Sequence, residues 1–304
     1  MTLFFVFIDG VGLGDDRLES NPVYANPHPF LDKIFSSTDW EIKGEELHTD
    51  QADLYRLDAT LGVPGLPQSA TGQAVLLTGV NIPKIISEHF GPKPDERISP
   101  FLATGGILGK FFQSGKNIAL VNAYPEFYFK GIESGKKLYS TFPLAVTKAG
   151  YRLFNESDLL SGLALSADIT GESWRSLFNA PNIPILQPTD AGIQLARAHR
   201  LTDLVIFEFW LTDYAGHKKD HSAAAILINH LDQFLAGIYS AMEQTDLILI
   251  TSDHGNMEDL MTRRHTVNPV PLILIGSKNA RKKFNGAKSL LDVAPGIESV
   301  ILDG

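Results

Sequence analysis

The run "LFFVFIDGVGLGDD", Leu3 to Asp16, passes from six apolar residues into an acid and then into glycines and further acids. A continuous run of Phe, Val and Ile, without alternation, is the pattern of a strand buried on both faces, as in the parallel sheet of an α/β protein. The turn after the strand has two readings. Glycines there can cradle a nucleotide phosphate, or Asp9 can be a carboxylate held at the strand end for a metal. Spacing favours the carboxylate: the glycines stand at 10, 12 and 14, whereas the dinucleotide fingerprint needs its third glycine at the position of Asp15. Acids at that place would also repel a pyrophosphate. The glycines then give the backbone room to turn tightly beside a crowded site.

Four more apolar runs extend the pattern: "IALVN" (118–122), "LVIFEF" (204–209), "LILITS" (247–252) and "PLILIG" (271–276). With 3–8 they predict five buried strands of a parallel sheet. Helical patterns lie between them, "SPFLATGGILGKFFQSGK" before the second run and "HSAAAILINHLDQFLAGIYSAM" before the fourth. In the latter, Leu227, Leu231, Phe234, Leu235, Ile238 and Met242 recur at three- and four-residue spacing, one apolar stripe for the sheet. Strand alternating with helix predicts an α/β layer fold, one domain over 1–304. The stretch from about 126 to 188 has prolines, glycines and short amphipathic pieces but no comparable strand, and is expected to be a small cap or elaborated-loop insertion.

Composition narrows the chemistry. The chain has 304 residues, 44% of them hydrophobic, and no cysteine, so disulfides, thiolate metal sites and cysteine nucleophiles are excluded. Any metal must be held by His, Asp, Glu or hydroxyl oxygen. A net charge of −9 without a basic block disfavours a nucleic-acid or anionic-membrane binder. The first residues lack a basic leader and meet an acid early, so neither a signal peptide nor a membrane span is expected and the cytoplasm is the default location.

Acids and imidazoles fall where ligands bind in such sheets. Asp9, Asp213 and Asp253 come just after the ends of the first, third and fourth runs, the carboxyl edge of an open α/β sheet. In "TSDHGNMED" Asp253 and His254 are adjacent at a strand end, with residues suited to a tight turn after them. "LTDYAGHKKDH" places Asp213 and His217 four apart, one helical turn, with oxygen and imidazole donors that suit a divalent cation. "RRHTVNPVPLILIG" offers His265 just before the last strand. Each piece alone has a bland counterpart, a turn carboxylate, a helix cap or a packed imidazole; three of them at one edge do not. A fourth piece, "LPQSATGQAVLLTG" (66–79), opens a helix with Ser69 and Thr71. A hydroxyl there meets unpaired backbone N–H groups that favour a phosphate, although a simple helix cap looks the same.

The order "IDGVG", "LPQSATGQ", "TDYAGH", "TSDHGN", "HTVNPVP" resembles the alkaline phosphatase superfamily of metalloenzymes. It is most similar to the branch with cofactor-independent phosphoglycerate mutase and phosphopentomutase, over roughly 1–125 and 200–280. The resemblance implies a three-layer α/β sandwich with a largely parallel central sheet. It also implies two divalent metal ions, Mn or Zn, with Mg or Fe as further options. One ion would be held by Asp213, His217 and His265, the other by Asp9, Asp253 and His254. Counting back from the "TG" that ends the helix segment places the family nucleophile at Ser69, which would bridge toward the metals, with Thr71 as the fallback.

A small phosphorylated substrate is implied, without nucleic acid or membrane as partner. The mutases carry a large inserted cap with substrate-holding bases. Here the middle is about sixty residues, and Lys130, Lys136, Lys137, Lys148 and Arg152 match no such pattern. Gln73 in "SATGQ" also stands where the mutase branch has a His in "SEVGH". The expectation is therefore a phosphoester hydrolase with a phosphoserine intermediate, a phosphomutase or a non-catalytic metal-binding module being the alternatives. His89, Lys93, Arg97 and Asn122 fall near the same edge and are expected to be loop or cap residues.

Overall fold

The computed structural model describes residues 1–40 and 46–303. Its centre is a seven-stranded sheet in the order β2, β3, β9, β8, β1, β7, β4. The strands are β1 (Leu3–Ile8), β2 (Leu47–His48), β3 (Ala52–Leu57), β4 (Ile118–Leu120), β7 (Leu204–Phe209), β8 (Leu247–Thr251) and β9 (Val270–Gly276). A separate parallel pair is formed by β5 (Ala123–Tyr124) and β6 (Phe154–Asn155). The expected α/β sandwich with a largely parallel sheet is what the chain forms: β8, β1, β7 and β4 run parallel.

One strand departs from the expectation. β9 is antiparallel to β8, with Thr251 opposite Leu272 and Leu247 opposite Gly276. An apolar run carries no direction, so sequence could not distinguish the two senses. The reversal has a consequence for the site. The beginning of β9 lies at the carboxyl end of β8, so a residue that precedes β9 meets residues just beyond β8.

β2 and β3 are the strands of this sheet that the apolar runs did not mark, and β3 pairs antiparallel with β9. Asp53 and Arg56 interrupt its apolar pattern, and burying Asp53 is tolerable because Arg281 Nη1 pairs with it at 2.8 Å.

The alternation of side chains along β1 divides the core into two layers. Leu3, Phe5 and Phe7 join the cluster that includes Ala70, Ala74 and Val75 of helix Ser69–Thr78 and Ile297 and Val300 of helix Val293–Leu302. Phe4, Val6 and Ile8 face the other cluster, with Leu195 of helix Pro188–Ala198 and Phe234, Leu235 and Ile238 of helix His221–Ala241. Leu227, Leu231 and Met242, the rest of the predicted stripe, are partly buried against that second cluster.

Within 126–188, helix Thr141–Ala149 buries Phe142 against Phe5 and Phe7, at ring distances of 5.9 and 4.8 Å. That helix is therefore part of the sandwich layer. Helix Glu126–Glu133, by contrast, buries no residue. Among the described residues no helix is long and apolar enough to cross a membrane.

Candidate metal centre

The two helical layers meet at the carboxyl edge of β1, β7 and β8, and the site residues come from both. Asp9 leaves β1 directly, its amide donating to Phe209 O at 3.1 Å and its carbonyl accepting from the Thr212 hydroxyl at 2.6 Å. These bonds tie the first acid to the start of helix Leu211–Lys218, which carries Asp213 and His217 on one face. Gly10 makes the approach possible. Its φ is +68°, and a Cβ there would stand 2.6 Å from Asp213 Oδ1.

His217 Nε2 lies 3.2 Å from Asp213 Oδ2 and 3.2 Å from His265 Nε2, and His265 Nε2 is 3.6 Å from Asp213 Oδ1. The other nitrogen of each ring faces a backbone carbonyl: His217 Nδ1 to Arg263 O at 2.8 Å, His265 Nδ1 to Pro67 O at 2.7 Å. A carbonyl only accepts, so both protons belong on Nδ1 and both Nε2 lone pairs face each other beside a carboxylate. Without a cation that arrangement is repulsive; with one it is a donor set of oxygen and two imidazoles.

The second group adjoins the first. Ligand atoms of Asp9, Asp213 and His254 all lie within 4.8 Å of one another, as do those of Asp213, His217 and His265. Asp213 thus reaches both groups. Asp253 Oδ2 is 3.6 Å from His254 Nε2 and accepts from Gln73 Nε2 at 3.0 Å. Gln73 Nε2 also lies 3.3 Å from Asp9 Oδ2, so one amide spans two buried acids. Asp9 Oδ1 is buried without a partner among the described residues, 3.4 Å from His254 Nε2.

Burial sets the electrostatics. Asp9 is pushed well above the usual carboxylate range by burial and then by the charges of Asp253 and Asp213. Burial, with the charge of Asp213, raises Asp253 to about 8. His254 is pushed well down, by burial and by the neighbouring His265, whose own value burial lowers. Clustered acids that resist ionising beside imidazoles that resist protonation are a site short of positive charge, which a divalent ion supplies.

Ser69 begins its helix, and its Oγ lies 3.0 Å from His254 Nε2. The His254 ring is stacked on His265 with centroids 3.7 Å apart. Among the described residues nothing accepts from the amides of Ser69 and Ala70, whereas Thr71 N donates to Phe90 O. The fallback Thr71 is elsewhere: its hydroxyl lies 3.1 Å from Gln68 O and accepts from Phe90 N at 3.2 Å.

The four residues expected to be bystanders make other bonds. His89 Nε2 faces Val63 O, and Lys93 Nζ donates to Leu138 O. Arg97 pairs with Asp95 and Glu88, and Asn122 exchanges bonds with the Glu208 backbone.

Three residues at this edge were not singled out by sequence. Asn256 Nδ2 donates to Asp213 Oδ1 at 2.6 Å, orienting that carboxylate. Glu258 is buried in the loop beyond it. Glu208, buried near the end of β7, accepts from the Tyr124 hydroxyl at 3.1 Å and is raised by burial to about 7. The one acid inside "LVIFEF" was the signal that could have found Glu208; Asn256 and Glu258 stood in plain sight within "DHGNMED".

Known proteins resemble this chain in part of its sequence and in its fold. The model of the Metalloenzyme superfamily matches residues 180–302. The 2,3-bisphosphoglycerate-independent phosphoglycerate mutase of Vesicomyosocius okutanii is 33% identical over 123 residues, 38% of this chain and 24% of that protein. The chain matches about a quarter of the length of the curated mutases it is similar to. Among solved structures, the PH0037 protein of Pyrococcus horikoshii has a TM-score of 0.56 at 14% identity, covering 100% of this chain and 97% of its own. The alkaline phosphatase of the Antarctic bacterium TAB5 has a TM-score of 0.55 at 13% identity, covering 99% and 97%. In sequence, part of this chain resembles the Metalloenzyme superfamily and the 2,3-bisphosphoglycerate-independent phosphoglycerate mutases, and in fold the chain resembles alkaline phosphatase.

Proposed function

We propose that the chain is a two-metal phosphoester hydrolase in which Ser69 attacks phosphorus and becomes a phosphoserine. The observation that carries this reading is Ser69 Oγ at the head of its helix, 3.0 Å from His254 Nε2 and beside two clusters of ligand atoms. Asp213, His217 and His265 would hold one ion; Asp9, Asp253 and His254 the other, with Asp213 near both and Ser69 facing them. Such ions, when bound, lower the proton affinity of a serine hydroxyl and neutralise the charge of the transferred phosphoryl group.

The chain's own groups do the rest. Nδ1 bonds to carbonyls hold the imidazoles of His217 and His265 with Nε2 inward. The free amides of Ser69 and Ala70, at the positive end of a helix, attract the phosphate oxygens. Ser69 Oγ bonds to phosphorus as the ester oxygen leaves, and water then cleaves the phosphoserine.

The middle segment supports water over a second acceptor. Lys130 is paired with Glu126 at 2.7 Å, Lys137 lies over the Phe127 ring, and Arg152 makes a bidentate pair with Asp158. These bases are engaged locally and are not gathered as a clamp that would retain an intermediate. A mutase is the second reading, favoured by the sequence match to phosphoglycerate mutase.

Metal analysis and a panel of phosphomonoesters, phosphodiesters and phosphoglycerates, each with Mn, Zn, Mg and Co, tests both. Metal-dependent phosphate release that Ser69→Ala abolishes while keeping its metals supports the hydrolase. Isomerised phosphoglycerate without free phosphate would replace it with the mutase. Ser69→Ala turning over like the wild type would remove Ser69 from its role.

A further inference from the structure

Three segments bring the ligand residues together: the loop after β1 with Asp9, the loop after β8 with Asp253 and His254, and the stretch before β9 with His265. One buried side chain outside the ligand set is bonded to all three. Glu258 is 2% exposed. Its Oε2 accepts from Gly12 N at 2.9 Å, in the first loop, and from Asn256 N at 2.8 Å, in the second. Its Oε1 accepts from Asn268 Nδ2 at 3.0 Å and from the Thr266 hydroxyl, both in the third.

Four donors fill the acceptor sites of one carboxylate, so no lone pair is left for a metal and none is left unsatisfied. Glycine makes the room. A Cβ on Gly12 or on Gly255 would collide with Glu258 Oε1. The glycine-rich stretch after β1 does cradle an anion, and that anion is the protein's own side chain.

We infer that Glu258 is a positioning residue that fixes the placement of Asp9, His254 and His265 relative to one another for the two ions. The inference rests on the metal-centre reading above. Its signature is that reach matters more than charge. Aspartate keeps the charge but is one methylene too short to meet all four donors. Glutamine keeps the length: its oxygen can accept from both backbone amides, while its NH2 faces the Thr266 hydroxyl and the Asn268 amide, which can turn to accept.

The test uses the full chain with Glu258→Asp and Glu258→Gln, folding being checked by far-UV circular dichroism. Mn2+ affinity is measured by calorimetry, and the visible spectrum is recorded with Co2+. Glu258→Asp is expected to bind Mn2+ roughly ten- to a hundred-fold more weakly, the usual effect of losing a residue that orients metal ligands, and to change the Co2+ bands. Glu258→Gln is expected to recover most of the affinity and the wild-type spectrum. Wild-type binding by Glu258→Asp, or weaker binding by Glu258→Gln than by Glu258→Asp, overturns the inference alone. A wild type that binds none of Mn2+, Zn2+ or Co2+ overturns the metal-centre reading first and this inference with it.

Discussion

His217 and His265 point their Nε2 atoms at each other across 3.2 Å, while both Nδ1 atoms are committed to backbone carbonyls. With both rings neutral, this contact opposes two lone pairs in the metal-free protein, so removing one ring relieves a repulsion. His217→Ala is therefore expected to leave the melting temperature in EDTA unchanged or slightly higher. The wild type should gain stability with added Mn2+ or Zn2+, about 2.7 kcal/mol for one site at a ligand concentration a hundred times its dissociation constant. His217→Ala should lose at least half of that gain and one ion by elemental analysis. A variant equally destabilised with and without metal would mean that the imidazole serves packing alone.

Ser69 and Thr71 are two residues apart in sequence and their hydroxyls have different partners. Thr71 is fully buried, and its hydroxyl ties helix Ser69–Thr78 to Phe90. Thr71→Ala strands the Phe90 amide, which costs about 1–3 kcal/mol, and should lower the urea midpoint while keeping metals and turnover. Ser69→Ala should do the opposite, holding stability and losing turnover. Equal losses of turnover in the two would undo this division.

Most of the proposed centre could be picked out in sequence because its candidate ligands are uncommon residue types at strand ends. Asp9, Asp253 and His254 stand where apolar runs stop, and Asp213 with His217 has the four-residue helical spacing. What was not legible depends on direction and on distant partners. Nothing in "PLILIG" says that β9 runs against β8, yet that reversal brings His265 to Asp213. β3 was hidden because its charge is neutralised by Arg281, far away in sequence. Glu258 was hidden for the same reason: its four donors come from residues 12, 256, 266 and 268, and only the folded loops put them around one carboxylate.

Phe142 tests where the sandwich ends and the peripheral segment begins. Its ring is fully buried against Phe5 and Phe7 of the central strand. Phe142→Ala should cost about 3–5 kcal/mol, the usual penalty for emptying an aromatic site in a core. Phe127, on helix Glu126–Glu133, is 48% exposed, and Phe127→Ala should cost far less. Urea midpoints of the two variants compare them directly. Similar small losses would place Thr141–Ala149 outside the core.

Glu208 gives the pH dependence a sign. Burial raises its carboxyl to about 7, against an ordinary value of 4.5. Between those values the folded chain keeps a proton that the unfolded chain has released, so stability falls as pH rises. The contribution is full below 4.5 and is lost as pH passes through 7. At 1.36 kcal/mol per unit the whole effect is roughly 3 kcal/mol. Glu208→Gln stays neutral throughout and can still accept from the Tyr124 hydroxyl. The unfolding free energy of the wild type minus that of Glu208→Gln, measured in urea with EDTA, should therefore drop by roughly 2–3 kcal/mol from pH 5 to pH 8. The subtraction removes the titration of Asp253, and that of Asp9 except for the part contributed by the Glu208 charge. A difference that stays flat across that range would mean that Glu208 ionises in the fold as readily as in water.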